Sequence, residues 1–222
     1  MRFRGLVFDL DGTLVDSRGD IVRACNAALV GVGRLALPES KILSFVGDGA
    51  RMLLARAAGA AENHPVVDAL LGPYMEDYLA RPTERTTLMP GVTDALAALG
   101  RAVPLAVCTN KPRALAEAVL DGLGLSHHFV ALVAAGDAPT RKPEPEMVVL
   151  ACERLGLTKT ERSSAAMVGD SPVDVRSGRA AGTYTIGIEG PFGNRAELLA
   201  EKPDAFLRSF AELAAVVLDG SD

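Results

Sequence analysis

The sequence predicts a doubly wound, mostly parallel α/β sheet with an inserted α-helical subdomain. Three observations carry that expectation. Short apolar runs alternate with helical patterns along most of the chain. Polar residues gather where several of those runs stop, and one long stretch rich in Ala, Leu and Arg breaks the alternation.

The runs are Gly5 to Phe8, Val103 to Cys108, Phe129 to Val133, Ala165 to Val168 and Thr183 to Ile188. Each is continuously apolar, as suits a strand covered on both faces of a parallel sheet. Between them the apolar spacing turns helical. Met147, Ala151 and Leu155 share one face, with Val148 and Cys152 beside it, and Val92 to Leu99 and Leu115 to Leu123 behave alike. From Asp16 to Thr87 there is helical periodicity and no convincing strand. A crossover between parallel strands needs only a dozen or so residues. The longer stretch therefore reads as a separate helical subdomain over 16–87, with a core domain over 1–15 and 88–222. Pro82 and Pro90 mark the return to the core.

Length and composition agree. A chain of 222 residues fits one large domain or two unequal ones, at about 150 residues per domain. Its 49% hydrophobic and 23% charged residues exclude disorder, and its 22 glycines and 13 prolines call for many turns. A formal charge of −5 argues against nucleic acid as a partner. No apolar run approaches the ~20 residues that span a bilayer, so no membrane is expected. The start, MRFRGLVFDLDG, is broken by aspartates and has no small-residue cleavage site, unlike a signal peptide. Cys25, Cys108 and Cys152 are odd in number, lack CxxC spacing and sit among apolar residues. They read as buried thiols in a reducing, cytoplasmic compartment.

Four clusters can carry chemistry. Asp9-Leu10-Asp11-Gly12-Thr13 follows the first apolar run. Two carboxylates leaving a strand into a Gly turn can face one site, and close like charges call for a cation or a proton between them. An acidic turn with a helix cap would explain this pair taken alone. Thr109-Asn110-Lys111 places a hydroxyl, an amide and an ammonium at the second strand end, although such residues also favour turns. Lys142-Pro143 precedes a helix expected to start near Glu144. A lysine there can neutralise clustered carboxylates and bind phosphate as a point charge, or simply be a solvated helix start. Gly169-Asp170-Ser171-Pro172-Val173-Asp174 follows the fourth strand. Its acids suit Mg²⁺, and Ser171 or Asp170 can also cap a helix.

Taken together and in this order, the four clusters resemble the motifs of the haloacid dehalogenase (HAD) superfamily of phosphatases, over about 1–15 and 88–210. The resemblance implies a Rossmann-like core with a helical cap between the first two motifs. It implies a Mg²⁺-dependent phosphomonoester hydrolase in which Asp9 attacks phosphorus to form an aspartyl-phosphate. Asp11 would be the general acid and then the base. Mg²⁺ would be held by Asp9, the Asp11 backbone carbonyl and Asp170, with Asp174 supporting. Thr109, Asn110 and Lys142 would grip the phosphoryl oxygens. Family dehalogenases lack the second aspartate and transport ATPases carry threonine there, so Asp11 favours ester hydrolysis. Family phosphonate hydrolases use a cap lysine as a Schiff base. The only lysine of the helical stretch is Lys41, and nothing around it marks that role.

Phe45 to Ala57 is similar to the VGxGxxxLxxRA stretch of bacterial phosphoglycolate phosphatases. That likeness implies a cap loop in which Gly47 and Gly49 bring backbone amides to a small anion and Arg51 pairs with a carboxylate. A solvated arginine at a helix start would equally explain Arg51. The expected substrate is a small phosphorylated metabolite, first 2-phosphoglycolate. Another sugar phosphate, pyrophosphate or nucleotide remains open, as does a β-phosphoglucomutase-like reaction. Either a monomer or a homodimer fits. A phosphorylated signalling domain would place its acids on different strands and have no such cap. A silent scaffold would have lost a motif residue, and none is lost. GxSxG is absent, the three histidines fit no zinc spacing, and neither a dinucleotide loop nor a P-loop is present.

Overall fold

The fold is described from a computed structural model, which covers residues 2–218; Met1 and residues 219–222, the ends of the expected core, lie outside the described residues. Strand β1 (Gly5–Phe8) runs up the middle of the molecule and is entirely buried. A turn leads to the short β2 (Val15–Asp16). Four helices follow: α1 (Arg18–Gly31), α2 (Glu39–Leu43), α3 (Ala50–Ala58) and α4 (Pro65–Ala80). The chain returns through β3 (Thr87–Leu88) and then alternates. The later elements are α5 (Val92–Leu99), β4 (Leu105–Pro112), α6 (Arg113–Gly122), β5 (Ala131–Ala135), α7 (Glu146–Arg154) and β6 (Ala165–Gly169). The last are α8 (Pro172–Ala181), β7 (Tyr184–Ile188), α9 (Arg195–Ala200), β8 (Ala205–Leu207) and α10 (Phe210–Leu218).

Six strands form one sheet in the order β5-β4-β1-β6-β7-β8, every neighbour parallel. Leu6 lies beside Leu105 of β4 and Ala166 of β6, which sets the register at the centre. Alternate side chains serve opposite faces. Leu6 and Phe8 join the core formed with α5, α6 and α10, whereas Val7 packs with Met147, Ala151 and Cys152 of α7. Helices therefore cover both faces, as the apolar runs predicted.

Sequence and structure part at the edges. The third strand is Ala131–Ala135, two residues later than expected. Phe129 is apolar because its ring packs edge-on against Phe8, 6.3 Å between centroids. The strand β8 was not expected at all; it has three residues, of which only Leu207 is buried. The helix expected near Glu144 begins at Glu146. The three cysteines are buried and free. No helix among the described residues is long and apolar enough to cross a membrane.

The two chain crossings into and out of the helical segment are fastened to each other. Val15 pairs with Leu88 and Asp16 with Thr87, antiparallel. Just beyond, the fully buried Asp20 of α1 accepts hydrogen bonds from the backbone amides of Arg85 and Thr86 (3.0 and 2.8 Å) and from the Thr86 hydroxyl (2.6 Å). Arg23 pairs with its other oxygen at 3.1 Å. Burial would raise the Asp20 carboxyl, but the Thr86, Arg85 and Arg23 donors outweigh it and hold it below the usual carboxylate range. The Asp20→Ala variant should lose about 2–4 kcal/mol of stability, because it removes the acceptor of the Arg85 and Thr86 amides and of the Thr86 hydroxyl, while Arg23 keeps its pairing with Asp77. A depressed carboxyl stabilises fully above its unfolded value, near about 3.9, and loses that contribution as pH falls through the folded value. Urea midpoints of the wild type and Asp20→Asn should therefore differ at pH 7 and converge toward pH 3. A gap independent of pH would contradict this account.

Candidate active site

The carboxyl ends of β1, β4 and β6 open into one cleft of about 580 Å³, roofed by the segment from Leu43 to Arg56. This is where an open parallel sheet binds ligands. Its floor is a network of buried charges. Asp9 follows β1, and its backbone amide donates to Val168 O of β6 (2.9 Å). Lys142 reaches in from the loop between β5 and α7. Its ammonium donates to Asp9 Oδ1, to Asp174 Oδ1 and to Cys108 O, each at 2.7 Å. Lys142 is 2% exposed and Asp174 1%, so these charges meet in a low dielectric where attraction is strong.

Asp174 has a second task. Its Oδ2 accepts from the Ser171 amide (3.2 Å) and hydroxyl (2.6 Å), a capping box that starts α8. Both its oxygens are thus engaged. Asp170 differs. Its Oδ1 accepts from Thr13 Oγ1 at 3.4 Å, while its buried Oδ2 has no hydrogen-bond partner. One oxygen from each of Asp9, Asp170 and Asp174 lies within 4.8 Å of the others. An orphaned oxygen inside a buried carboxylate triad fits a divalent cation. Burial raises Asp170 well above its usual range, and Asp174 and Asp9 add to that; the amide of Gly193 opposes it. Burial likewise raises Asp9, to about 7, although Lys142 pulls the other way. Burial also works against the charge on Lys142, but Asp174 and Asp9 more than offset it, so the lysine stays charged.

The tight approach of backbone explains two glycines. Gly12 turns the chain at φ +92°, and a Cβ there would lie 2.3 Å from Asp170 Oδ2. Gly49, at φ +86°, lies so close to Asn110 that a Cβ would meet its carbonyl at 2.8 Å. Asn110 also donates to Gly47 O (3.0 Å) and Lys142 O (2.9 Å), joining roof, strand end and lysine loop. Thr109 is buried beside it, its hydroxyl accepting from the Lys111 amide at 3.1 Å.

The cleft brings together Asp9, Asp11, Thr109, Asn110 and Lys142 with Asp170, Asp174 and Gly47. Arg51, for which a substrate carboxylate and a solvated helix start were both open, is not among the residues that line this cleft; it binds Asp68 (2.8 Å) and Glu62 O (3.2 Å). It stands in the first turn of α3, on the side that faces α4, and the neighbouring Asp68 captures it. The arginine that does line the cleft is Arg56, tied to Asp48 at 2.5 Å and to Phe45 O at 3.0 Å.

The sequence also gave no role to the partners of Asp11. Ser17 Oγ donates to Asp11 Oδ1 at 2.6 Å, and Lys111 Nζ lies 3.0 and 3.2 Å from its two oxygens. Lys111 in turn donates to Tyr78 OH of α4 at 2.8 Å. Lys111 stood in the polar run after the second strand; nothing in the sequence marks Tyr78.

The family model for haloacid dehalogenase-like hydrolases matches residues 3–182. A phosphoglycolate phosphatase of Chromobacterium violaceum is 35% identical over 98% of this chain and 97% of that protein. A plasmid-encoded one from Cupriavidus necator is 39% identical over 85% and 83%. The crystal structure of a predicted phosphoglycolate phosphatase from Haemophilus somnus superposes with a TM-score of 0.87 at 26% identity, covering 98% of this chain and 99% of that one.

Replacing Lys142 with Ala should leave Asp9 and Asp174 buried without a counter-charge. The expected loss is about 3–5 kcal/mol of folding stability, read from denaturant unfolding. A variant as stable as the wild type would mean that the ion network contributes nothing to the fold.

Proposed function

The chain belongs to the haloacid dehalogenase-like hydrolases and is a phosphoric monoester hydrolase; on that premise we propose that it hydrolyses 2-phosphoglycolate through a phosphoryl group carried on Asp9. The observation that carries the chemistry is the Asp9–Lys142–Asp174 network on the cleft floor with Asp11 two residues further on. The substrate rests on the names of the relatives and on the stretch from Phe45 to Ala57 that roofs the cleft.

In this reading Asp9 Oδ attacks phosphorus in line with the ester oxygen. The new O–P bond forms as the ester P–O bond breaks. Asp11 gives its proton to the departing oxygen, so glycolate leaves as the alcohol. A water then attacks the aspartyl-phosphate, Asp11 takes the proton, and inorganic phosphate and free Asp9 result. Lys142 favours the ionised form of Asp9 against the burial that raises its carboxyl. In the same reading Lys142, Thr109 and the Asn110 backbone would hold the equatorial phosphoryl oxygens. Asp9, Asp170 and the Asp11 carbonyl would hold Mg²⁺, which supplies positive charge against the phosphoryl oxygens; Asp174, already saturated, braces. Three buried thiols suit a reducing, cytoplasmic setting.

Phosphate release from 2-phosphoglycolate should require Mg²⁺ and stop with EDTA, at a kcat/KM well above that for an aryl phosphate. Activity on the aryl ester alone would discard the substrate and keep the chemistry. The Asp9→Asn variant should lose at least about 10⁴-fold in kcat, and Asp11→Asn about 10²–10⁴-fold. Normal turnover by Asp9→Asn would rule out the covalent route.

A further inference from the structure

Four cations line the cleft, Lys111, Lys142, Arg56 and Arg176, and each has an acidic partner. Lys142 is held by Asp9, Asp174 and Cys108 O. Arg56 is held by Asp48 and Phe45 O, and Arg176 by Glu201; their side chains are 37% and 51% exposed. Lys111 differs in place and surroundings. Its side chain is 3% exposed, and it meets the cleft where Asp11 does. Tyr78 of α4 receives one of its N–H donors, which fixes the ammonium beside the Asp11 carboxylate. An ammonium has three donors and no acceptor, so any ligand group it takes there is an anion or a lone-pair oxygen.

We infer that Lys111, oriented by Tyr78, selects phosphate esters that carry a carboxylate on the carbon next to the ester oxygen. The inference rests on the function proposed above and adds the residue that reads the substrate. The reasoning is one of connectivity. Asp11 delivers its proton to the ester oxygen, so that oxygen lies against the Asp11 carboxyl. In an O–CH₂–COO⁻ group the carboxylate is two bonds from the ester oxygen. The cation that touches Asp11 is thus within reach of that carboxylate, and the roof arginine is tied to its own aspartate. Burial works against a charge on Lys111, but Asp11 and Tyr78 outweigh it, so the cation persists across the working pH range. A buried charge–charge contact of this kind discriminates strongly, because a neutral group in its place leaves the ammonium desolvated and unmatched.

The test compares kcat/KM for 2-phosphoglycolate with that for ethyl phosphate, the same ester without the carboxylate. In the wild type the ratio should strongly favour 2-phosphoglycolate. Lys111→Met should cut that ratio by about 10²-fold, chiefly through KM for 2-phosphoglycolate. Tyr78→Phe, which keeps the ammonium but frees it, should lower the ratio in the same direction by less. Arg56→Met should leave the ratio within a few-fold of wild type. Equal losses on both esters in Lys111→Met would overturn the inference, making the lysine a positioning group for Asp11 alone. A ratio that collapses in Arg56→Met and not in Lys111→Met would move selection to the roof, and also overturn it. Should Lys111→Met fail to fold, an unchanged ratio in Tyr78→Phe decides against the inference. A wild type that does not prefer 2-phosphoglycolate removes the proposed substrate itself, which separates that failure from the others.

Discussion

A single ammonium, that of Lys142, ties the site to the fold. Removing a lysine from water is expensive unless acceptors replace its hydration, and here two carboxylates and a carbonyl do so. Those acceptors come from the end of β1, the body of β4 and the first turn of α8. The same contact therefore ties three elements together. Asp174 makes the economy plain, with one oxygen neutralising the lysine and the other capping α8. Asp9 shares that lysine and is held at the end of a buried strand.

The helical segment plays a different part. It brings no acid to the floor; it brings Gly47 and Gly49 down onto Asn110 from above and Tyr78 onto Lys111 from behind. Both contacts fall on β4, at residues adjacent in sequence. One strand end thus lines the cleft with Thr109 and meets the helical segment through the next two residues.

What the sequence revealed follows from the range of the forces involved. Gly5–Phe8 and Val92–Leu99 were legible to the residue because strand burial and helical spacing are local patterns that end abruptly, in acids or in a glycine. The acids after β1 and β6 stood out for a related reason, since charged residues directly after a buried run have few explanations; Lys142 lies in a loop and stood out only in company with the other clusters. Phe129 misled because apolarity reports burial, and a ring packed on Phe8 is buried without being in a strand. A spacing motif places Arg51 on a helix but does not say which neighbour its long side chain will meet; here Asp68 does. Lys111 and Tyr78 meet across 33 positions and two elements, and no pattern within either element encodes that meeting.

The pairing of Val15 with Leu88 has a consequence for descent. Everything between those two residues leaves and returns through one small two-stranded pairing outside the six-stranded sheet, so the order and register of the six strands do not depend on its length. A helical segment of another size, or one folded differently, could be grafted across the same pair without disturbing the strand ends that line the cleft. Chemistry and selectivity can then drift at separate rates. The exception is β4, whose residues Asn110 and Lys111 touch the grafted part and would have to change with it.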